Sequence, residues 1–145
     1  MATNNLSLKE VDLGSIWLFS ACSAPQLRTI RKAIEEIVVP SGKVICKEGT
    51  PGREFFFIVE GYANVLRNGR RVATLGPGQY FGELSLLDKQ PRSATVIASS
   101  NMEVLVLEYR KFHGILMAMP VIATKMLSTM ATRLREADTK AFAHS

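Results

Sequence analysis

Apolar and polar positions change rhythm twice along the 145 residues. Near the start, Leu6, Val11, Leu13, Ile16, Trp17, Leu18 and Phe19 are mixed with charged residues, and Ser7 or Asp12 is placed to cap a short helix. Pro25 suits a helical first turn, and Leu27, Ile30, Ala33, Ile34 and Ile37 then recur at helical spacing. The pattern predicts a helix over residues 25–36. From Ile37 the runs become short and alternate in twos: Val44/Cys46, Phe55/Phe57/Val59, Ala63/Val65 and Val96/Ala98. Val104 to Leu107 is continuously apolar, which predicts a strand covered on both sides. Turn signals divide these runs, at Pro40-Ser41-Gly42, Gly49-Thr50-Pro51-Gly52 and Gly76-Pro77-Gly78. Asn68-Gly69 between residues 62–67 and 70–75 marks a hairpin with a mirror-image turn. The tail returns to helical spacing. It predicts one helix over residues 109–119 and, from Pro120, a longer one to about Thr139, with an apolar stripe of Ile122, Ala123, Met126, Leu127, Met130 and Leu134.

The order of helices, about eight strands and helices again predicts a mainly β fold with flanking helices (α+β). The expected architecture is an antiparallel eight-stranded β-roll or jelly roll. It has N-terminal helices, a short helix within the roll and two C-terminal helices. One domain over residues 1–145 accommodates it: a helical segment 1–36, the roll 37–108 and C-terminal helices 109–145. No internal repeat, low-complexity linker or second domain interrupts the pattern.

Composition changes this picture little. The hydrophobic fraction is 47% and the charged fraction 21%, enough apolar material for a core without staples. The net charge of +5 invites a nucleic-acid reading, but the basic residues are scattered. The clusters Arg67/Arg70/Arg71 and Arg133/Arg135 read as solvated surface. Cys22 and Cys46 have no metal-ligand spacing, so free thiols in a reducing compartment are expected. The N-terminus has neither a basic start nor an apolar core, so no signal peptide is expected. The longest apolar stretch, residues 114–123, is broken by Pro120 and is shorter than the about 20 residues a membrane span needs. A soluble, cytosolic chain without a membrane segment is the expectation.

Several chemistries are excluded. Ser41-Gly42-Lys43 lacks the upstream glycine of a phosphate loop, and Gly76-x-Gly78-x-x-x-Gly82 misses the dinucleotide fingerprint by its spacing. Metal-binding barrels need clustered histidines, whereas His113 and His144 are far apart. No nucleophile stands with a base, so an enzyme is not expected, and no cofactor or metal is implied. Trp17 reads as packing.

The stretch from Phe81 to Ala98 carries the chemistry. Glu83 follows a glycine at the start of a short predicted helix, and Arg92 precedes a small-residue run that opens a strand. Free N–H groups at a helix start and a nearby guanidinium suit a phosphate. A carboxylate beside them suits a sugar hydroxyl, which can donate to it. Together they describe a ribose phosphate. A mutual Glu83–Arg92 salt bridge that only fastens the loop is the structural alternative.

Phe81-Gly-Glu-Leu-Ser-Leu-Leu with Pro91-Arg-Ser-Ala-Thr-Val-Ile-Ala resembles the phosphate-binding cassette of cyclic-nucleotide-binding domains. These occur in bacterial catabolite-activator-type regulators, in regulatory subunits of cyclic-AMP-dependent kinase and in nucleotide-gated channels. Trp17-Leu-Phe-Ser, Glu48-Gly-Thr-Pro-Gly, Phe57-Ile-Val-Glu-Gly, Gly76-Pro-Gly and Arg133-Leu-Arg-Glu-Ala extend the resemblance from about Ile16 to Asp138. It implies that Glu83 accepts the ribose 2′-hydroxyl and that Arg92 meets the cyclic phosphate. It also implies that backbone N–H groups of Gly82, Leu84, Ser85, Ser93 and Ala94 complete the cradle. Val65 and Leu75 in the roll, with Arg133 or Leu134 of the last helix, are the candidate base contacts.

Ser93 stands where threonine in the family goes with cyclic GMP and alanine with cyclic AMP. Ala137-Asp138 replaces the threonine with which bacterial regulators read the adenine amino group. Cyclic AMP is the first expectation and cyclic GMP the second. The family's transcription factors continue into a helix-turn-helix, but this chain has no residues for one after the last helix, so no DNA-binding module is expected. Output would pass through a protein effector or a homodimer formed by the C-terminal helix, whose stripe is equally able to pack on the roll. The other reading of the same fold is a non-catalytic protein-interaction domain that binds another anion or none.

Overall fold

The β-branched and aromatic runs in the middle of the chain pair into two four-stranded antiparallel sheets. The structure, a computed structural model, describes residues 11–143; Leu6, Ser7 and His144 lie outside the described residues. In chain order the strands are β1 (Glu35–Val39), β2 (Val44–Cys46), β3 (Glu54–Glu60), β4 (Ala63–Arg67), β5 (Arg70–Leu75), β6 (Tyr80–Phe81), β7 (Thr95–Ala98) and β8 (Met102–Glu108). One sheet runs β1-β8-β3-β6 and the other β2-β7-β4-β5. The eight-stranded antiparallel roll expected from the sequence is present.

Two compact units can be described: the roll, residues 33–113, and a helical unit, residues 12–32 and 114–143. Within the roll, Phe56 and Ile58 of β3 join Ala63, Val96, Ala98, Met102 and Val104 in one buried cluster. Phe56 stacks on Phe81 with ring centroids 4.9 Å apart. Burying a side chain of this size contributes about 1.5–3 kcal/mol. Phe55 and Phe57, on the other face of β3, are buried as well. The alternation expected for β3 therefore understates its burial, because Phe55 to Val59 is apolar at every position and both faces are covered. Asn68 and Gly69 have φ of 53° and 76°, the two positive values that a mirror-image hairpin turn requires. They place Arg67 opposite Arg70 at the end of the β4–β5 ladder.

The first long helix is shorter than its periodicity predicts. α1 (Ala24–Lys32) stops before Ile37, and Glu35 to Val39 pair with Val106 to Met102 of β8. Ile37-Val38-Val39 are β-branched and favour the pleated ladder over another helical turn. The roll therefore begins at Glu35, inside the segment expected to be helical. The N-terminus of α1 is marked by Ser23 and Gln26: Gln26 Oε1 accepts the Ser23 N–H at 2.8 Å, half of a capping box.

α2 (Tyr109–Ala118) and α3 (Pro120–Ala143) follow β8, with Met119 between them. α3 continues past Thr139, where the apolar stripe fades. In the helical unit, α3 packs against the 3-10 turn Trp17–Phe19. Ile122 and Met126 are buried, whereas Leu127 and Leu134 are 65% and 67% exposed. Lys125 Nζ donates to Gln26 Oε1 at 2.9 Å, tying α3 to α1. Among the described residues, no single helix is long and apolar enough to cross a membrane.

Candidate functional site

Gly82 begins the site because its backbone conformation excludes other residues. Its φ is 80°, and a Cβ there would lie 2.7 Å from the Glu54 carbonyl oxygen and against Arg92 Nη1. The chain turns there out of β6 into a single 3-10 turn, Glu83–Leu86. The sequence predicts a helix whose dipole faces an anion. Four residues of 3-10 geometry give one turn, too short for summed peptide dipoles, so individual N–H groups and Arg92 must do that work. Ser85 N–H closes the turn onto the Gly82 carbonyl at 3.0 Å. That N–H is bonded within its own turn, so an anion would have to share the bond or displace it. Leu84 N–H precedes the turn's first closing bond and lies outside its ladder.

Arg92 is held from three sides. Nη2 donates to the Glu54 carbonyl at 2.8 Å and Nη1 to Ser85 Oγ at 3.2 Å. The guanidinium carbon lies 5.7 Å from the centre of the Phe56 ring. Gly52 leaves room for it: a Cβ there would stand 2.6 Å from Ser85 Oγ and 3.0 Å from Arg92 Nε. A side chain held this way loses less freedom when an anion arrives. The strand-to-loop connections supply the frame. Arg92 N–H donates to Thr50 O at 2.7 Å, Gly49 N–H to Arg92 O at 2.8 Å and Gly52 N–H to Gln90 O at 3.0 Å.

These groups surround a cavity of about 400 Å³ in the roll. The structure brings Gly82, Glu83, Leu84, Ser85, Arg92, Ser93 and Ala94 together on its wall, with Val65 of β4 among them. Cys46, Phe81 and Val96 supply an apolar part, and Arg67, Asp88 and Gln90 add polar groups. Burial pushes the Cys46 thiol above its ordinary value, and the nearby Arg92 charge partly opposes this. Leu75 is not in this wall; it packs against the buried cluster of the roll. Arg133 and Leu134 belong to the helical unit. There the Arg133 guanidinium lies 4.2 Å from the centre of the Trp17 ring, and Leu134 is exposed.

Gly52, the Glu54 carbonyl and Arg67 were not foreseen. Gly49-Thr50-Pro51-Gly52 announces a turn but not its target, and a backbone carbonyl leaves no mark in a sequence. Chemically, the cavity offers a fixed guanidinium, a carboxylate and an apolar wall, which suits a small monoanion carrying a sugar and a flat ring. No group of described residues is arranged to hold a metal ion.

The model of the cyclic nucleotide-binding domain matches residues 36–119. The chain belongs to this family. Domains of this family are regulatory rather than catalytic. A cyclic nucleotide-gated potassium channel of Mesorhizobium japonicum is 36% identical over 121 residues, 83% of this chain and 34% of the channel. A cGMP-dependent protein kinase of Toxoplasma gondii is 34% identical over 139 residues, 95% of this chain and 13% of the kinase. The chain thus spans about a third or less of these two relatives. Among solved structures, the N-terminal domain of a transcriptional regulator from Streptomyces coelicolor superposes with a TM-score of 0.78 at 32% identity, covering 86% of this chain and 91% of that one. The cyclic nucleotide-binding domain described here shares with that structure the β-roll and its flanking helices.

Proposed function

We propose that the chain binds a cyclic purine nucleotide in the roll cavity, cyclic AMP ahead of cyclic GMP, and acts as a regulatory sensor by binding rather than catalysis. The observation that carries this reading is Arg92, fixed by Ser85 Oγ and the Glu54 carbonyl on the wall it shares with Glu83. In this reading Arg92 meets the cyclic phosphate and Glu83 accepts the ribose 2′-hydroxyl. The N–H groups of Gly82, Leu84, Ser85, Ser93 and Ala94 complete the cradle, and Val65 packs on the base. Ser93 has a hydroxyl but not the threonine methyl, and the exposed Ala137-Asp138 pair offers no threonine hydroxyl for the adenine amino group. Selectivity between the bases is accordingly modest.

Signal leaves through α3. The break at Met119 and Pro120 is its hinge, and exposed Leu127 and Leu134 are the surface for a protein effector or a second copy of the chain. Melting curves with cyclic AMP, cyclic GMP and 5′-AMP in parallel test the ligand class, since a ligand specific for the folded state raises the midpoint by mass action. Stabilisation by the cyclic nucleotides, cyclic AMP most, and none by 5′-AMP is expected. No stabilisation by either cyclic nucleotide favours an interaction domain that binds another anion or none.

A further inference from the structure

We propose that Arg67, at the end of β4, is a positioning residue of the phosphate cradle; the role rests on the cyclic-nucleotide reading above. Arg67 lies on the cavity wall, in a hairpin with no glycine-rich or cassette signature. Its Nε–H crosses to the cassette and donates to the Ser93 carbonyl at 3.2 Å. The preceding carbonyl, that of Arg92, is held by Gly49 N–H at 2.8 Å. Two consecutive carbonyls are therefore held by groups outside the loop.

In a planar trans peptide the C=O and N–H point in opposite directions. Fixing the Arg92 carbonyl fixes the direction of Ser93 N–H, and fixing the Ser93 carbonyl fixes that of Ala94 N–H. These are the two cassette N–H groups that the reading above assigns to the phosphate. One of the two restraints is main chain; the other is the Arg67 side chain, which substitution can remove. The guanidinium charge also polarises the Ser93–Ala94 peptide and makes Ala94 N–H a stronger donor. The hairpin gives Arg67 a fixed base. Asn68 N–H donates to Glu48 Oε1 at 3.0 Å, and Glu48 N–H to Thr95 Oγ1 at 2.9 Å. Arg67 is exposed and its bond is at the long end of the ordinary range, so the residue orients the loop more than it stabilises the fold.

The test is calorimetric titration of the wild-type chain, Arg67→Ala and Arg67→Lys with cyclic AMP and cyclic GMP. Unliganded melting temperatures and the Ala94 amide resonance of each protein are measured alongside. Loss of one indirect, charge-assisted bond should weaken both nucleotides about fivefold in Arg67→Ala. Lysine, which keeps the charge and a donor, should recover most of this. The factor should persist in high salt, because it does not come from long-range attraction. In the unliganded Arg67→Ala protein the Ala94 amide proton should move upfield while the melting temperature stays unchanged. Wild-type protein that binds neither nucleotide overturns the cyclic-nucleotide reading, and this role with it. If the wild type binds and Arg67→Ala matches it within twofold, or the Ala94 amide is unmoved, this role alone is overturned. A markedly lower melting temperature for Arg67→Ala also overturns this role alone, because it assigns the residue to the fold.

Discussion

Single residues decide whether the cavity can receive an anion, and two glycines show this most sharply. Gly82 needs its positive φ, and Gly52 needs its missing side chain, because Ser85 Oγ and Arg92 Nε occupy the space a Cβ would take. In Gly52→Ala the loop or Arg92 must shift, and the bonds from Arg92 to Ser85 and Glu54 are the ones at risk. We expect a lower melting temperature together with cyclic-nucleotide affinity reduced about tenfold, since a misplaced charge-assisted donor forfeits its contribution. Melting curves and titration of the same protein check this; unchanged affinity in a folded Gly52→Ala protein would contradict it. The difference between Gly82 and Gly52 also shows what was legible at this scale. Gly82 sits in a motif with Glu83, which marks it in the sequence as a candidate, and it lies on the cavity wall. Gly52 is distant in sequence from the arginine it accommodates, and the bridge between the Pro51 and Pro91 segments, with the bond from Gly49 N–H to Arg92 O, brings them together.

At the scale of elements, the eight-stranded antiparallel roll and the hairpin at Asn68-Gly69 were legible because turn residues and β-branched runs agree there; the order of strands within each sheet was not. The end of α1 was not. Ala33, Ile34 and Ile37 continue the helical period, but pairing with β8 claims the segment from Glu35 onward. β6, with two residues, is too short to show any period. The edge strand β1 carries a testable electrostatic feature. Glu35 bonds the Lys111 ammonium of α2, which lowers the Glu35 pKa and raises that of Lys111. The Glu35 contribution is present above the value of a free glutamate, about 4.3, and is lost as pH falls through its lowered folded value. The Lys111 contribution is present below the ordinary lysine value and is lost as pH rises through its raised one. Both groups are exposed, so the effect is small and screened by salt. Glu35→Gln should melt slightly lower than the parent at neutral pH and equally in acid below both carboxylate values. A gap that widens in acid would contradict this.

On the scale of the whole molecule, the proposed sensor needs ligand in the roll to be felt in α3. The buried anchors Ile122 and Met126 near its start and exposed Leu127 and Leu134 further along suit an element fixed at one end and open to a partner at the other. Amide resonances of residues 115–140 should therefore move on saturation with cyclic AMP; a set that ignores saturating ligand would contradict output through α3. The Trp17–Arg133 contact was legible only in part, since the sequence marks Trp17 as packing but offers Arg133 to the base instead.

The central claim is that Arg92 receives a cyclic phosphate. Titration calorimetry of cyclic AMP into the parent chain and into Arg92→Ala tests it most directly. A charge-assisted bond contributes about 1.5–3 kcal/mol, so a saturable heat for the parent and a loss of at least about tenfold for Arg92→Ala are predicted. Equal affinity of the two proteins would contradict the assignment.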